Sequence, residues 1–291
     1  MHFVKVKGIL SSKNGMNLFR GCTHGCIYCD SRSKCYQMNH SFEDIEVKEN
    51  SIELLEDRLK RKRKKCMIGM GSMTDPYINE ELKLNYTRKA LETINKYGFG
   101  LTLITKSSNI IRDLDLLKEI NSKTKCVVQM TLTTYDERLC KIIEPNVSTT
   151  KERVETLIKL REAGIPTVVW MTPILPYIND TEENIMGILN YCKEAKVKGI
   201  FCFGMGLTLR EGNREYFYSK LDKHFPHLKD RYIREFGNSY VINSRNNYRL
   251  MKIFRDFCES EKIVCDYNKI FSYLNTFEEK ETTKQLSIFD L

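Results

Sequence analysis

No stretch of this chain is apolar for eighteen residues, and no apolar segment of signal-peptide form opens it. The first absence excludes a membrane-spanning helix, and the second leaves nothing that would direct the chain through a membrane. A soluble, cytoplasmic protein with no membrane partner is the expectation. A disulfide framework is lacking too. The 11 cysteines are odd in number, the chain of 291 residues is not small, and eight of them (Cys35, Cys66, Cys126, Cys140, Cys192, Cys202, Cys258 and Cys265) lie scattered among apolar neighbours. That distribution fits buried thiols in a reducing compartment. Acidic excess is also missing: the net charge is +9, and seven basic residues between Arg58 and Lys65 supply most of it. Such a run either holds phosphates or is the solvated end of a helix whose dipole favours cations there.

With 41% hydrophobic residues, the chain can bury a sizeable core. Apolar, β-rich runs at 15–19, 66–70, 99–104, 125–134, 165–172 and 199–205 read as strands. Between them lie helical periodicities: Ile52, Leu55 and Leu59 behind Ser51 as N-cap; Leu84, Leu91 and Ile94; Ile110 to Ile120; a Thr149-x-x-Glu152 capping box opening a helix that Gly164 stops; and 179–195. Strand and helix alternate six times, which implies a parallel sheet and, as its simplest form, a partial (β/α)6 barrel of the α/β class over residues 1–206. From 207 to 277 the rhythm changes. That stretch holds 14 of the chain's 30 aromatic residues and reads as a mainly helical C-terminal appendage, with 249–261 its clearest helix. Its aromatics beside arginines either stack on nucleobases or fill a small cap over the barrel mouth. Residues 278–291 read as a flexible tail.

The chemistry concentrates in the loop 21–30, Gly-Cys-Thr-His-Gly-Cys-Ile-Tyr-Cys-Asp. Cys22, Cys26 and Cys29 stand close enough for three thiolates to converge on one point. Three soft ligands suit an iron-sulfur cluster, and three on a 4Fe-4S cube leave one iron open. Zinc is the alternative, with Cys35 or His24 completing the set of a non-catalytic, zinc-stabilised binding protein.

Cys-x3-Cys-x2-Cys with an aromatic before the last cysteine resembles the signature of radical S-adenosylmethionine enzymes, matched here by Cys22, Cys26, Tyr28 and Cys29. The resemblance implies a 4Fe-4S cluster whose open iron is chelated by S-adenosylmethionine (SAM), reductive cleavage of that cofactor to a 5'-deoxyadenosyl radical, and an electron donor such as a flavodoxin or ferredoxin. Over residues 15–205 the layout is similar to one branch, spore photoproduct lyase and its DNA repair photolyase-like relatives, through Ser72 and Thr74-Asp75, Thr105-Lys106-Ser107, Glu144-Pro145 and Pro173-x-x-Pro176. Carried over, Tyr28, Ser72, Lys106, Thr131 and Arg153 become cofactor-binding residues, Lys106 and Arg153 offering charge to the SAM carboxylate. A cysteine of the lyase is replaced by Met70, which has no S-H to give, so the substrate is not transferred with the branch. DNA or another nucleic acid is the expected substrate class, and a small molecule or peptide is the alternative. Gln285, Leu286 and Phe289 resemble the anchors of a peptide that docks on the bacterial sliding clamp.

Overall fold

The computed structural model describes residues 1–280; the clamp-like segment with Gln285, Leu286 and Phe289 lies outside the described residues. In chain order the elements are β1 (His2–Val4), β2 (Gly15–Met16), β3 (Phe19–Arg20), β4 (Glu46–Lys48), α1 (Ser51–Arg61), β5 (Met67–Met70), α2 (Glu81–Leu84), α3 (Tyr86–Lys96), β6 (Gly100–Thr105), α4 (Leu114–Lys123), β7 (Cys126–Thr131), α5 (Glu137–Ile143), α6 (Thr150–Glu162), β8 (Thr167–Trp170), α7 (Glu182–Glu194), β9 (Gly199–Phe201), β10 (Gly206–Thr208), α8 (Asn213–His224), α9 (Leu228–Phe236), β11 (Val241–Asn243), α10 (Asn247–Ser260) and α11 (Tyr267–Asn275). Six parallel strands form the main sheet in the order β2-β5-β6-β7-β8-β9. Neighbours in sequence are therefore neighbours in space, and each parallel step needs a helical crossover, which makes the sheet an open, partial barrel.

Burial explains why these segments are strands. Every residue of β7 is buried, as are five of the six in β6, the pattern of a sheet covered on both faces. On the outer face Ile68, Leu101, Leu103 and Val128 pack with Leu55, Leu91, Ile94 and Leu117 of the helices, and Met130, Val169 and Ile200 with Leu157, Ile188, Leu189 and Phe254. A fully buried leucine of this kind contributes about 1.5–3 kcal/mol. On the concave face Val127, Val168 and Phe201 meet Ile270 and Leu274 of α11, and above them a polar chain runs from Trp170 Nε1 to Gln129 Oε1 (2.8 Å) and from Gln129 Nε2 to Thr102 Oγ1 (2.8 Å).

Several expected boundaries move for identifiable reasons. The expected first strand, 15–19, divides after Met16: β2 pairs with β5, whereas β3 turns away to pair antiparallel with β4 in a separate three-stranded sheet. The helix expected around Leu84 to Ile94 is broken at Asn85, a left-handed residue at φ 57°. Asn50, not Ser51, precedes α1, which ends at Arg61, before the basic run does. The capping box on Thr149 and Glu152 forms as the spacing requires.

The C-terminal appendage does more than cap the mouth. Helices α8 and α9 and the β10-β11 ribbon share one buried cluster with Cys26, Ile27 and Tyr28 of the cysteine loop, but α10 lies against α7 on the outside. Helix α11 lies by the strands' amino ends, where Lys125 Nζ donates to the Tyr273 carbonyl at 2.8 Å and Ile200 N donates to the Val264 carbonyl at 2.9 Å. The start of the expected tail is pinned as well: Glu278 pairs with Lys125, and Lys280 N donates to the Lys123 carbonyl at 2.9 Å.

Candidate active site

The cysteine loop leaves β3 through Gly21, whose φ of +85° and the Phe42 carbonyl, 2.5 Å from where a Cβ would stand, admit only glycine. The backbone beyond is strapped at successive points. Cys22 N donates to the Phe42 carbonyl at 3.0 Å, Asn146 N to the His24 carbonyl at 3.1 Å, and Ile27 N to the Ile143 carbonyl at 2.9 Å. Asn146 Nδ2 donates to the Thr23 carbonyl at 2.8 Å. The loop thus arrives preorganised with its thiols uncommitted. None of the three is in a disulfide; Cys22 and Cys26 are buried and Cys29 is half-buried.

Burial pushes the Cys22 thiol up to about 12, with Asp75 and Cys29 raising it further against the amides of His24 and Asp75. Cys26 is pushed well up by burial too, with Glu144, Cys29 and Cys22 adding to the rise and Lys106 opposing it. These are thiols that become thiolates only when a cationic partner takes up the charge. Among the described residues the three sulfurs do not all fall within 4.8 Å of one another. A single tetrahedral zinc with Zn–S bonds of about 2.3 Å would need them about 3.8 Å apart. The donor set and its burial fit a 4Fe-4S cluster.

Beside the loop lie the carboxyl ends of β5, β6 and β7, which bring Ser72, Lys106 and Thr131 onto adjacent strands. Ser72 Oγ accepts from Asn17 Nδ2 at 3.4 Å, and Asn17 Oδ1 accepts from Met73 N at 3.0 Å, so Asn17 braces this turn. Asp75 organises the next: its carboxylate accepts from Thr105 Oγ1 and Lys106 N, both at 2.7 Å, and its Oδ2 stands 3.5 Å from His24 Nδ1. Burial presses the Lys106 ammonium down, but Cys26, Glu144 and Asp75 together hold it above its ordinary value. Lys106 therefore stays charged. No hydrogen bond engages its ammonium among the described residues, which leaves it free for an anionic ligand group.

Arg153 and Tyr28, read from sequence as cofactor contacts, meet the chain's own Glu144. Arg153 and Glu144 are both fully enclosed, and the guanidinium donates to Glu144 Oε2 at 2.5 Å, to the Thr131 carbonyl at 2.7 Å and to Cys140 Sγ at 3.0 Å. The Tyr28 hydroxyl donates to Glu144 Oε1, as does Thr133 Oγ1 at 3.2 Å. Burial presses the Glu144 carboxyl up, but Arg153 and Lys106 outweigh it and hold it below the usual carboxylate range. Arg153 shares the buried face of α6 with Leu157 and Leu160, but the pattern does not reveal the acidic partner that arrives from another segment. Asn17 and the roles of His24 beside Asp75 and of Asp75 itself were missed; the Asp75-Pro76 pair after β5 and the Glu144-Pro145 pair after α5 are the signals that mark two of these turns.

Met70 lies in the buried cluster that also reaches Cys22. It packs with Ile68 and Met16 in the outer cluster, with Cys66 against it, while Gly69 lies against Thr102 and so faces the concave side. The basic run stands at the far end: it closes α1 and precedes the amino end of β5, whereas the cysteine loop lies at the strands' carboxyl ends.

A loop of three uncommitted thiols at the open end of a partial parallel barrel, with a free, half-buried ammonium beside it, defines a cluster-binding barrel protein. The profile of the Radical SAM superfamily matches residues 16–189, and the chain belongs to that superfamily. Membership brings a 4Fe-4S cluster and S-adenosylmethionine as cofactors. The chain is similar to an uncharacterized protein of Mycobacterium tuberculosis (28% identity over 228 residues, 75% of this chain and 65% of the relative) and to one of Methanocaldococcus jannaschii (34% over 176 residues, 60% and 65%). It spans about 65% of the length of these curated relatives. In fold it resembles a spore photoproduct lyase mutant with bound AdoMet and dinucleoside spore photoproduct (TM-score 0.60, 16% identity, covering 84% of this chain and 72% of that one).

Proposed function

We propose that the protein is a radical SAM enzyme that acts on nucleic acid in a repair-like reaction, with Cys22, Cys26 and Cys29 holding the cluster. Bound there, a 4Fe-4S cluster would supply the electron that cleaves the carbon-sulfur bond of SAM to methionine and a 5'-deoxyadenosyl radical, the species that abstracts hydrogen from substrate. The chain's own residues bind and orient. Lys106 meets the SAM carboxylate, Ser72 and Thr131 hydrogen-bond its polar end, and the Arg153-Glu144-Tyr28 network fixes the loop between Cys26 and Cys29.

The observation that carries the substrate class is an aromatic shelf beside β8 and β9. Phe203 is 56% exposed, Tyr267 54% and Phe271 38%. Phe203 stacks on Phe201 at 5.6 Å and meets Trp170 at 5.8 Å. Exposed, rigid rings of this kind offer a platform for a nucleobase, each base stack contributing about 1–3 kcal/mol. The dinucleoside photoproduct bound by the structural relative is in keeping with the same reading. An acidic electron donor such as a flavodoxin or ferredoxin would meet the outer face of the cysteine loop, beside Lys141, Lys220 and Lys223, and the clamp-like tail offers a route to replication sites.

The test is anaerobic reconstitution followed by assay of iron, sulfide and 5'-deoxyadenosine under dithionite, with DNA binding measured across salt concentrations. Absence of iron and sulfide would return the cysteines to the zinc reading. Salt-independent or absent DNA binding would move the substrate to a small molecule or peptide.

A further inference from the structure

Away from the cysteine loop, at the open end of the β1-β4-β3 sheet, a second set of ligating side chains converges. His2 and Glu46 are paired across β1 and β4, and Asp44 lies just before β4. One ligating atom from each of His2, His40 and Asp44 can be chosen so that all lie within 4.8 Å of one another, the one such triple among the described residues. His2 Nδ1 stands 3.0 Å and His40 Nδ1 4.0 Å from the same oxygen, Asp44 Oδ2. The two imidazoles are 4.8 Å apart, edge to face. The other carboxylate oxygen, Oδ1, is engaged by the Met1 amine at 2.6 Å.

We propose that His2, His40 and Asp44 form a binding site for a borderline divalent cation, zinc foremost, separate from the cluster. Two imidazoles and a carboxylate are the donors such an ion prefers, with a fourth position left to water. The surroundings have what an imidazole ligand needs. His40 Nε2 lies 3.4 Å from Glu46 Oε2, and His40 Nδ1 lies 3.0 Å from the Ser41 carbonyl. Whichever ring nitrogen ligates, the other has an acceptor to fix the ring.

The site's place gives it a task. His40 and Asp44 bracket Phe42, whose carbonyl accepts the Cys22 amide at 3.0 Å and whose ring lies 4.3 Å from the Arg32 guanidinium. An ion joining this loop to β1 clasps the segment against which Cys22 is seated. Part of the loop's rigidity would then be set by zinc supply.

The experiment uses the full chain, reconstituted anaerobically with iron and sulfide, equilibrated with buffered Zn2+ and analysed for both metals. About one zinc per chain is expected in addition to the iron. His2→Ala/His40→Ala loses the zinc and keeps iron, whereas Cys22→Ala/Cys26→Ala/Cys29→Ala loses iron and keeps the zinc. Should the histidine double variant fold poorly, Glu46→Gln decides: zinc affinity falls about 10–100-fold. With Co2+ as probe, wild type develops visible ligand-field absorption and the double variant does not. A wild type that binds no zinc, a histidine variant that retains it, unchanged affinity in Glu46→Gln, or zinc that disappears with the cysteines would each overturn the proposal.

Discussion

Removing Arg153 tests the network beneath the cysteine loop. Arg153→Met keeps the length and apolar stem of the side chain but leaves Glu144 a fully buried carboxylate with the hydroxyls of Tyr28 and Thr133 as its remaining oxygen donors, beside the weak Cys140 thiol at 3.8 Å. Removing one partner of a buried ion pair costs about 3–5 kcal/mol, because the other charge remains in a poor solvent. The two remaining donors place this case near the lower end. At about 2 °C per kcal/mol for a chain of this size, the melting temperature should fall by about 6–8 °C. Arg153→Met/Glu144→Gln removes the stranded charge, so the double variant should recover more than half of the loss. Thermal unfolding followed by circular dichroism, run as a double-mutant cycle, reads both quantities. A fall below about 2 °C, or a double variant no more stable than the single one, would refute the assignment of Arg153 as the counter-charge that Glu144 requires.

Lys106→Met should weaken SAM binding about 10–100-fold, the loss of a charge-assisted contact, with iron content unchanged; calorimetric titration of the reconstituted protein checks it, and unaltered affinity would remove Lys106 from the cofactor. Cys26→Ala should abolish iron retention, measured by metal analysis. Gly71 has φ +93°, and a Cβ there would lie 2.2 Å from the Ile104 carbonyl, so Gly71→Ala should sharply reduce the yield of folded protein. Thr149→Ala should lower unfolding free energy by about 0.5–2 kcal/mol through loss of the capping box, read by urea denaturation. Phe203→Ala should reduce DNA affinity by about 5–100-fold, whereas reversing Lys60 and Arg63, at the far end of the barrel, should leave DNA binding by the aromatic shelf unaltered.

The sheet was legible because a parallel strand buried on both faces writes itself as an unbroken apolar run, as at 99–104 and 125–134. Helices with caps in the sequence, such as Thr149-x-x-Glu152, were equally plain. Legibility failed where the decisive partner came from elsewhere. Phe19 continues the apolar run of Met16 and Leu18, yet the chain leaves the barrel at Asn17, whose amide is taken up by the turn that follows β5. Arg153 has the spacing of Leu157 and Leu160 on the inner face of α6, but nothing in the sequence marks Glu144, which comes from another segment, as its partner. The cysteine spacing announced a metal loop by itself, but the carbonyls that strap the loop are backbone atoms, and backbone partners leave no trace in residue identity.

Helix α11 packs on the concave face against Val127, Val168 and Phe201 and, with Lys125 donating to its Tyr273 carbonyl, floors the β7, β8 and β9 side of the barrel as one side of a cup. Traffic through a cup is last in, first out: whatever docks deepest must enter before anything settles above it, and departs after. The helix that seems peripheral to the chemistry would thereby dictate the sequence in which reactants come and go.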